Sequence, residues 1–267
     1  MSLKITVLLE NKTSDSYLIA KPGLSLLLED GEEKIIFDTG PDGSYIENAN
    51  RMGISIDDIS KIVISHGHSD HIGGVNYFPH NAKLICHPDA LSEKYYGVMF
   101  NKKSVLKFKK ISGKINKRVK KRVLFRLTKS HMKISERFIF SGEIANSHRK
   151  SYGLIRKSCW ANDYILDDSA LIWKSDNGLV IIIGCGHSGI CEIINHAKMI
   201  TGVDKVFAVI GGLHLRRALP TELLKIREFF IKENIKEVYG CHCTGSWGRL
   251  WLPNVKQLKT GQVLLVE

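Results

Sequence analysis

The sequence predicts a layered α/β domain in which two β-sheets are covered by helices. Short apolar runs with strand character recur along the chain, and early strand hairpins give way to an alternation of strands and helices. The length of 267 residues suits one large α/β domain or two modest ones, and we expect residues 1–267 to form a single domain. Apolar residues make up 43% and charged residues 25%, which is ordinary for a globular protein.

The individual elements follow from local patterns. Apolar, β-branched runs between turn residues predict strands at Leu3–Leu9, Leu24–Glu29, Lys34–Asp38, Lys61–Ser65, Lys83–His87, Ala170–Lys174, Leu179–Gly184, Lys205–Ile210 and Glu237–Cys241. Apolar spacing predicts helices at 44–52, 191–201 and 220–234, the last beginning with Pro220. This order predicts an αββα sandwich with the functional site at one rim.

The most specific feature is the segment Ser65–Gly74, in which three histidines and an aspartate directly follow an apolar strand. His66 and His68 are two residues apart on extended backbone, so both point to the same side and can bind one metal. Asp70 and His71 lie in the following turn, where they begin a second site. Imidazole and carboxylate are ligands of zinc, iron and manganese, so we expect one or two divalent metals, zinc first.

Four segments together resemble a known family. Ile35–Gly40, Gly184–Ile190, Ile210–Leu215 and Cys241–Gly245 appear in that order around Ser65–Gly74. The chain resembles the metallo-β-lactamase fold superfamily, and specifically the branch named for archaeal 7,8-dihydropterin-6-methyl-4-(β-D-ribofuranosyl)aminobenzene 5′-phosphate synthase. The resemblance covers nearly the whole chain except about 100–157. It implies an αββα fold of the metallo-β-lactamase type, a metal-dependent enzyme, and a supporting role for Asp38.

Three further histidines follow predicted strands in the second half of the chain. His187, His214 and His242 each stand beside glycine or a turn at a strand end, where α/β sheets gather their ligands. They bring the candidate metal ligands to seven: His66, His68, Asp70, His71, His187, His214 and His242. Which of His214 and His242 binds metal is open, and the other would face substrate as an acid, a base or a phosphate donor.

The second half departs from the superfamily pattern. The resemblance implies a histidine followed by a Gly-Asp with a bridging carboxylate, but Gly184-Cys185 stands at the Gly-Asp and Asp167-Asp168 where the histidine is expected. The sequence therefore leaves the number of metals at one or two. We assign Asp70, His187 and His214 as catalytic, and Asp38, Cys185 and Thr244 as residues that support the ligands or contact substrate.

The other cysteines and histidines carry weaker signals. The chain has six cysteines, no Cys-x-x-Cys pair and no predicted signal peptide, so we expect free thiols in the cytoplasm. Cys241-x-Cys243 suggests a metal cluster, but two thiols that flank a histidine on a strand would point away from it. We interpret His80, His87, His131, His148 and His196 as ordinary surface or packing residues.

The segment of about 100–157 is predicted to be a basic insertion or lid. Residues 102–133 hold fourteen lysines or arginines and no acidic residue, enough to explain the net charge of +12. The segment is either a solvated basic surface or a patch that attracts phosphate or a polyanion, centred on Lys117, Arg118, Lys120 and Lys121. It carries no defensible RNA-binding or helix-turn-helix motif, so nucleic acid is possible as a partner but not favoured.

These observations converge on a metal-dependent enzyme acting on a small anionic substrate. The family resemblance favours a phosphorylated or pterin-like molecule, with the metal activating a pyrophosphate leaving group. The alternative is a phosphodiesterase or nuclease that uses the basic insertion, and a non-catalytic binding protein is the least favoured interpretation. No phosphate-binding Gly-x-x-x-x-Gly-Lys loop, Gly-x-Ser-x-Gly motif or membrane-length apolar run is present. The sequence does not indicate an oligomeric state.

Overall fold

The computed structural model describes residues 2–101 and 103–267; Lys102, the first residue of the predicted basic run, lies outside them. The strands are β1 Leu3–Leu9, β2 Ser25–Asp30, β3 Glu33–Phe37, β4 Lys61–Val63, β5 Lys83–Cys86, β6 Glu93–Met99, β7 Val105–Lys110, β8 Leu124–Leu127, β9 Met132–Lys133, β10 Phe138–Phe140, β11 Gly153–Arg156, β12 Trp160–Asp163, β13 Ala170–Ser175, β14 Gly178–Ile183, β15 Val206–Gly212, β16 Glu237–Cys241, β17 Val255–Gln257 and β18 Val263–Val266.

The α-helices are α1 Ser44–Arg51, α2 Ser69–Ile72, α3 Lys117–Arg122, α4 Ile190–Thr201, α5 Pro220–Lys232 and α6 Gly245–Trp251. Short 3₁₀ helices lie at Gly73–Tyr77, Pro88–Leu91 and His242–Thr244. The predicted strands and the three predicted helices are confirmed, with small differences at their ends. Among the described residues, no helix is both long and apolar enough to cross a membrane.

Two seven-stranded mixed sheets form the centre of the fold. The first has the order β18-β1-β2-β3-β4-β5-β8 and the second β17-β16-β15-β14-β13-β10-β9. Strands β3, β4, β5 and β8 run parallel in the first sheet, as do β14, β15, β16 and β17 in the second. The carboxyl ends of these parallel strands meet at one rim, where α/β folds place their sites.

Three apolar layers explain why the strands are apolar on both faces. The core between the sheets includes Ile35, Phe37, Trp173, Val180 and Ile182. On the outer face of the first sheet, Ile36 and Ile62 pack with residues of α1. Alternate residues of β14 pack outward against α4 and α5 on the second sheet. Burial on both faces of each sheet produces the helix–sheet–sheet–helix order, so the predicted αββα sandwich is confirmed.

The elements of segment 100–157 are distributed over three sheets. Strand β8 pairs with β5 at the edge of the first sheet, and β10 pairs with β13 in the second. Strands β7 and β11 flank β6 in a separate four-stranded sheet of order β12-β11-β6-β7. Helix α3, with the predicted basic patch, lies between β7 and β8 in the chain.

Candidate metal centre

Asp38 joins the ends of two parallel strands beneath the site. It follows β3, and its Oδ1 accepts a hydrogen bond from the backbone N–H of Ser65 at 2.8 Å, while its Oδ2 accepts one from the Ser65 hydroxyl at 2.7 Å. Gly184 from the second sheet approaches so closely that a Cβ there would lie 2.0 Å from Ser65 Oγ. Only glycine therefore fits where the rims of the two sheets meet.

His66, His68 and His187 form the first group of candidate ligands. One ring nitrogen of each lies within 4.8 Å of the others. His66 Nδ1 lies 2.9 Å from the Ser65 hydroxyl, and His66 Nε2 lies 3.0 Å from His68 Nδ1. The His187 ring is 4.9 Å from that of His66 and 5.0 Å from that of His68. The His-x-His pair of the first half thus meets a strand-end histidine of the second half.

Asp70, His71 and His242 form the second group, again within 4.8 Å. Asp38 Oδ2 lies 2.7 Å from His71 Nδ1, which leaves His71 Nε2 facing the group. That Nε2 is 3.2 Å from His242 Nε2, and Asp70 Oδ2 is 3.5 Å from the same His242 nitrogen. A carboxylate behind a histidine fixes its tautomer and orientation, as is typical of metal-binding histidines.

The chemistry of both groups fits a divalent metal. Among the described residues, His68 Nε2 and both ring nitrogens of His187 are buried without a hydrogen-bond partner, which is costly for polar atoms unless a ligand satisfies them. Burial, with the neighbouring histidines, lowers the pKa of His66 and His187 well below the ordinary value. Burial and Lys94 lower the pKa of His68 to about 4. All three imidazoles are therefore neutral at pH 7 and present lone pairs to a cation.

Charge in the second group also favours a cation. Burial opposes a charge on His71, but the carboxylates of Asp38 and Asp70 outweigh it and raise the pKa of His71 to about 9. Burial opposes the Asp70 carboxylate too, yet His71 and His242 together lower its pKa. The buried carboxylate of Asp38 and the partly exposed carboxylate of Asp70 thus stabilise positive charge beside the nitrogen pair, which is the environment that a bound cation requires.

Cys185, His214 and Cys243 form a third group that the sequence did not predict. Cys185 Sγ lies 2.9 Å from Cys243 Sγ and 3.5 Å from His214 Nδ1. Burial raises the pKa of Cys185, whereas hydrogen bonds from Cys185 and His214 outweigh burial and hold the pKa of Cys243 well below its ordinary value. Cys185 Sγ also lies within 4.8 Å of one nitrogen each of His66 and His71, so it sits between the first two groups.

The expectation that Cys243 points away from the site is wrong. It assumed that the strand continues through His242, but β16 ends at Cys241 and a 3₁₀ turn follows. His242 has a positive φ of 49°, which breaks the alternation of side chains and turns Cys243 toward Cys185. Glycines on either side of the Cys-His-Cys segment, Gly240 and Gly245, were the local sign of such a turn.

The structure separates the two histidines that the sequence left open. His242 joins Asp70 and His71, whereas His214 joins the two cysteines and lies 4.5 Å, ring to ring, from His187. Thr244 lies behind them: its hydroxyl accepts a hydrogen bond from the Leu213 N–H at 3.0 Å. The carbonyl of Gly211 accepts from that hydroxyl at 3.3 Å, so Thr244 supports the loop that carries His214.

Asp167 and Asp168 hold the two histidine loops from behind. Asp167 Oδ2 accepts a hydrogen bond at 2.8 Å from the N–H of Gly67, the residue between His66 and His68. Asp168 Oδ2 accepts one at 2.6 Å from the Ser188 N–H, directly after His187. The two acids that stand where the family pattern expects a histidine are thus buried anchors of the loops.

Lys94 balances this buried negative charge. Its side chain is fully buried, forms an ion pair with Asp167, and lies 3.3 Å from Asp163. Burial opposes the charge, but Asp167 and Asp163 outweigh it and raise the pKa of Lys94. Sequence reasoning missed this group because Lys94 lies in β6, 73 residues before Asp167.

Two clefts with basic linings lie near the centre. One of about 410 Å³ is lined by His187 and His214 together with Tyr152, Lys150 and Arg217. The other, of about 480 Å³, is lined by lysines that include Lys117 and Lys120 of the predicted patch. Of the described residues that line the second cleft, none is a candidate metal ligand, although Ile72 beside His71 is one of them. The first cleft is therefore the one placed for chemistry at the candidate centre.

The comparisons with known proteins agree with this architecture. A model described as the metallo-beta-lactamase superfamily matches residues 18–118, which include the whole His-x-His-x-Asp-His segment. A solved structure described as a metal-dependent hydrolase of the beta-lactamase superfamily shares 25% identity and superposes with a TM-score of 0.84 over 98% of both chains. Residues 18–118 therefore carry a metallo-beta-lactamase domain, and the chain as a whole has the fold of that superfamily.

Two relatives from Methanocaldococcus jannaschii match this chain over most of their length. One is 26% identical over 91% of this chain and 88% of its own length. It is named 7,8-dihydropterin-6-methyl-4-(beta-D-ribofuranosyl)-aminobenzene-5′-phosphate synthase. The other is an uncharacterized protein, 27% identical over 90% of both chains. The resemblance inferred from the motifs is therefore confirmed at the level of the superfamily and of similarity to the synthase-named relative.

Replacing Asp38 with asparagine is expected to weaken metal binding at the second group about 10- to 100-fold. The amide oxygen can still accept a hydrogen bond from the Ser65 N–H. It cannot fix the tautomer and orientation of the His71 ring as a carboxylate does. Competition with a chelator measures the affinity. The exposed Asp58 provides the matched control, because Asp58→Asn removes only a surface ion pair with Lys34. Equal affinities in both variants would show that Asp38 does not support the ligand.

Proposed function

We propose that this protein is a metal-dependent enzyme that acts on a small phosphorylated substrate, with the two histidine-rich groups as its metal ligands. The observation that carries the proposal is the convergence of His66, His68 and His187 with Asp70, His71 and His242 on neighbouring sites at one rim of the sandwich. Three ligands per ion leave positions for a water or a substrate oxygen. Bound there, a divalent metal would polarise a phosphoryl oxygen and lower the pKa of a bound water.

The first cleft offers cationic side chains to an anionic substrate, and Glu192 and Glu222 line it as well. Lys150 and Arg217 line it beside His187 and His214. Arg149 lines it too, but its guanidinium already donates to three backbone carbonyls, so we assign it to the loop rather than to substrate. Lys150 and Arg217 would hold a phosphate, and His214 lines the cleft beside them.

Similarity to the synthase-named relative supports one specific substrate class. We infer condensation of a reduced pterin pyrophosphate with an aminobenzene ribosyl phosphate, with pyrophosphate as the leaving group. In that reaction the cleft residues would bind the leaving phosphates and orient the amine. Hydrolysis of a small phosphate or pyrophosphate ester would use the same residues with water in place of the amine.

The test is a substrate panel with protein purified without chelator and then loaded with zinc, iron or manganese. The panel contains the pterin pyrophosphate with and without the aminobenzene ribosyl phosphate, simple pyrophosphates, and phosphodiesters. We expect metal-dependent release of pyrophosphate or phosphate from a small substrate. Full metal occupancy with no turnover of any phosphorylated compound would contradict the proposal.

The run of lysines and arginines on α3 supports a second candidate, a phosphodiesterase or nuclease. Lys117 and Lys120 line the second cleft, and none of the lysines or arginines of the predicted patch has an acidic partner among the described ion pairs. A nuclease would neutralise several phosphates at once, so its binding would fall with salt by a log–log slope of about 0.7–0.9 per phosphate. A small-molecule enzyme would show a shallow slope.

Charge reversal separates the two candidates. We expect Lys117→Glu, Arg118→Glu, Lys120→Glu and Lys121→Glu together to abolish weak, non-specific nucleic-acid binding without changing KM for the small substrate. The matched variant, Lys150→Gln with Arg217→Gln, should raise that KM at least about tenfold, because each hydrogen bond to a charged group contributes about 1.5–3 kcal/mol and each ~1.4 kcal/mol is a factor of ten. Metal-dependent nucleic-acid cleavage that disappears on charge reversal would establish the nuclease instead.

A further inference from the structure

Three donor side chains converge beside the two histidine-rich groups from three separate strand ends. Cys185 follows β14, His214 follows β15 and Cys243 follows β16. One donor atom of each lies within 4.8 Å of the other two, with the two sulfurs 2.9 Å apart and Cys185 Sγ 3.5 Å from His214 Nδ1. Two thiols and an imidazole are a donor set that zinc and other sulfur-preferring ions bind in proteins.

The backbone is shaped to bring these atoms together. His214 has a φ of 56° and His242 a φ of 49°, a region that non-glycine residues adopt at a cost. A Cβ on Gly212 would lie 2.8 Å from Cys243 Sγ, so the glycine makes room for the sulfur. The N–H of His214 donates to Cys243 Sγ at 3.3 Å, as in sites where supporting hydrogen bonds orient a metal-bound ligand.

We propose that Cys185, His214 and Cys243 bind a third metal ion, zinc or another ion that prefers sulfur, separate from the two histidine-rich groups. Cys243 and His214 belong to neither of those groups, and Cys185 is the third member of the group that they form. Three protein ligands with a fourth position left for water or substrate is the pattern of catalytic zinc sites. His214 also lines the first cleft, so an ion there would lie beside the substrate path.

Cys185 links this site to the other two. Its sulfur lies within reach of His66 and His71 as well as of Cys243 and His214. A thiolate can bind more than one metal, so Cys185 stands where the family pattern has a bridging carboxylate. If sulfur merely replaces that carboxylate, Cys185 alone is needed as a ligand. A third site needs Cys243 as well, so Cys243 distinguishes the two alternatives.

The first test uses cobalt as a spectroscopic probe in the unmodified protein. Cobalt(II) bound through thiolate sulfur gives an intense near-ultraviolet charge-transfer absorption, whereas cobalt bound only by histidine and carboxylate does not. We expect this absorption to appear once cobalt is loaded and to persist in the variant His66→Ala/His68→Ala. Cobalt uptake without any sulfur charge-transfer absorption would overturn the proposal.

The second test separates the two cysteines by zinc content. Cys243→Ser is expected to lose about one zinc per chain and most of the cobalt–sulfur absorption, while the exposed Cys159→Ser, the control, loses neither. If Cys185→Ser removes the absorption but Cys243→Ser leaves it and the zinc content intact, Cys185 serves the histidine-rich groups alone and the third site is wrong.

A third measurement does not depend on whether a variant folds. Zinc is expected to protect two of the six thiols of the unmodified protein from a thiol reagent, and a chelator should release both. A mass lower by two hydrogens after purification, with zinc giving no protection even once the pair is reduced, would identify Cys185 and Cys243 as a disulfide-forming pair instead.

Discussion

Replacing His66 and His68 together with alanine is expected to remove about one metal ion per chain and to reduce kcat at least about 10³-fold. The two residues supply two of the three nitrogens in the first group, and His187 alone cannot hold an ion. Loss of a catalytic metal removes several kcal/mol of charge stabilisation, and each ~1.4 kcal/mol corresponds to a factor of ten in rate.

Elemental analysis and turnover of the substrate found by the panel are the measurements for this double variant. The exposed His131 offers the control, because His131→Ala removes an imidazole without touching the site. Full metal content in the double variant would mean that the metal binds elsewhere and that the ligand assignment is wrong. Near-normal kcat with the metal lost would contradict a catalytic role for this group.

Replacing Lys94 with methionine is expected to lower the free energy of unfolding by about 3–5 kcal/mol, the cost of leaving a buried charge unpaired. The variant keeps the apolar part of the side chain but leaves Asp167 and Asp163 buried without their cation. Urea denaturation of the metal-free protein measures the change. Because Asp167 also holds Gly67 between two ligands, metal affinity should fall in the same variant.

Lys110 provides the matched control for Lys94. It lies in the same four-stranded sheet and pairs with Glu93 at 2.9 Å, but both side chains are exposed. Lys110→Met should therefore cost no more than about 1 kcal/mol. Adding Asp167→Asn and Asp163→Asn to Lys94→Met should restore part of the lost stability. If Lys94→Met costs as little as Lys110→Met, the buried ion group does not stabilise the loops.

Much of the fold could be predicted from the sequence because each central strand has its own local apolar pattern. Strand β14, for example, is buried along its whole length and on both faces, so its continuous apolar composition alone marks it as a central strand. The candidate ligands of the first half could be predicted for a similar reason. His66, His68, Asp70 and His71 lie close together in the sequence, and the period of extended backbone fixes which of them share a side.

The second half of the site depended on tertiary structure. Whether His214 or His242 meets Asp70 is decided by how two loops pack after β15 and β16, which local patterns do not encode. The predicted direction of Cys243 was wrong because His242 has a positive φ, which turns the chain there. The presence of a histidine in the sequence does not indicate a positive φ. The ion pair of Lys94 joins residues that are distant in the chain, so no local pattern could reveal it.

The two histidine-rich groups can be tested most directly by a crystal structure of the zinc-loaded protein with anomalous scattering measured at the zinc edge. We expect one anomalous peak between His66, His68 and His187 and a second between Asp70, His71 and His242. The zinc–nitrogen distances should be ~2.0–2.1 Å. Zinc at neither position, or zinc bound with His187 and His242 both several ångströms from any metal, would contradict these ligand assignments.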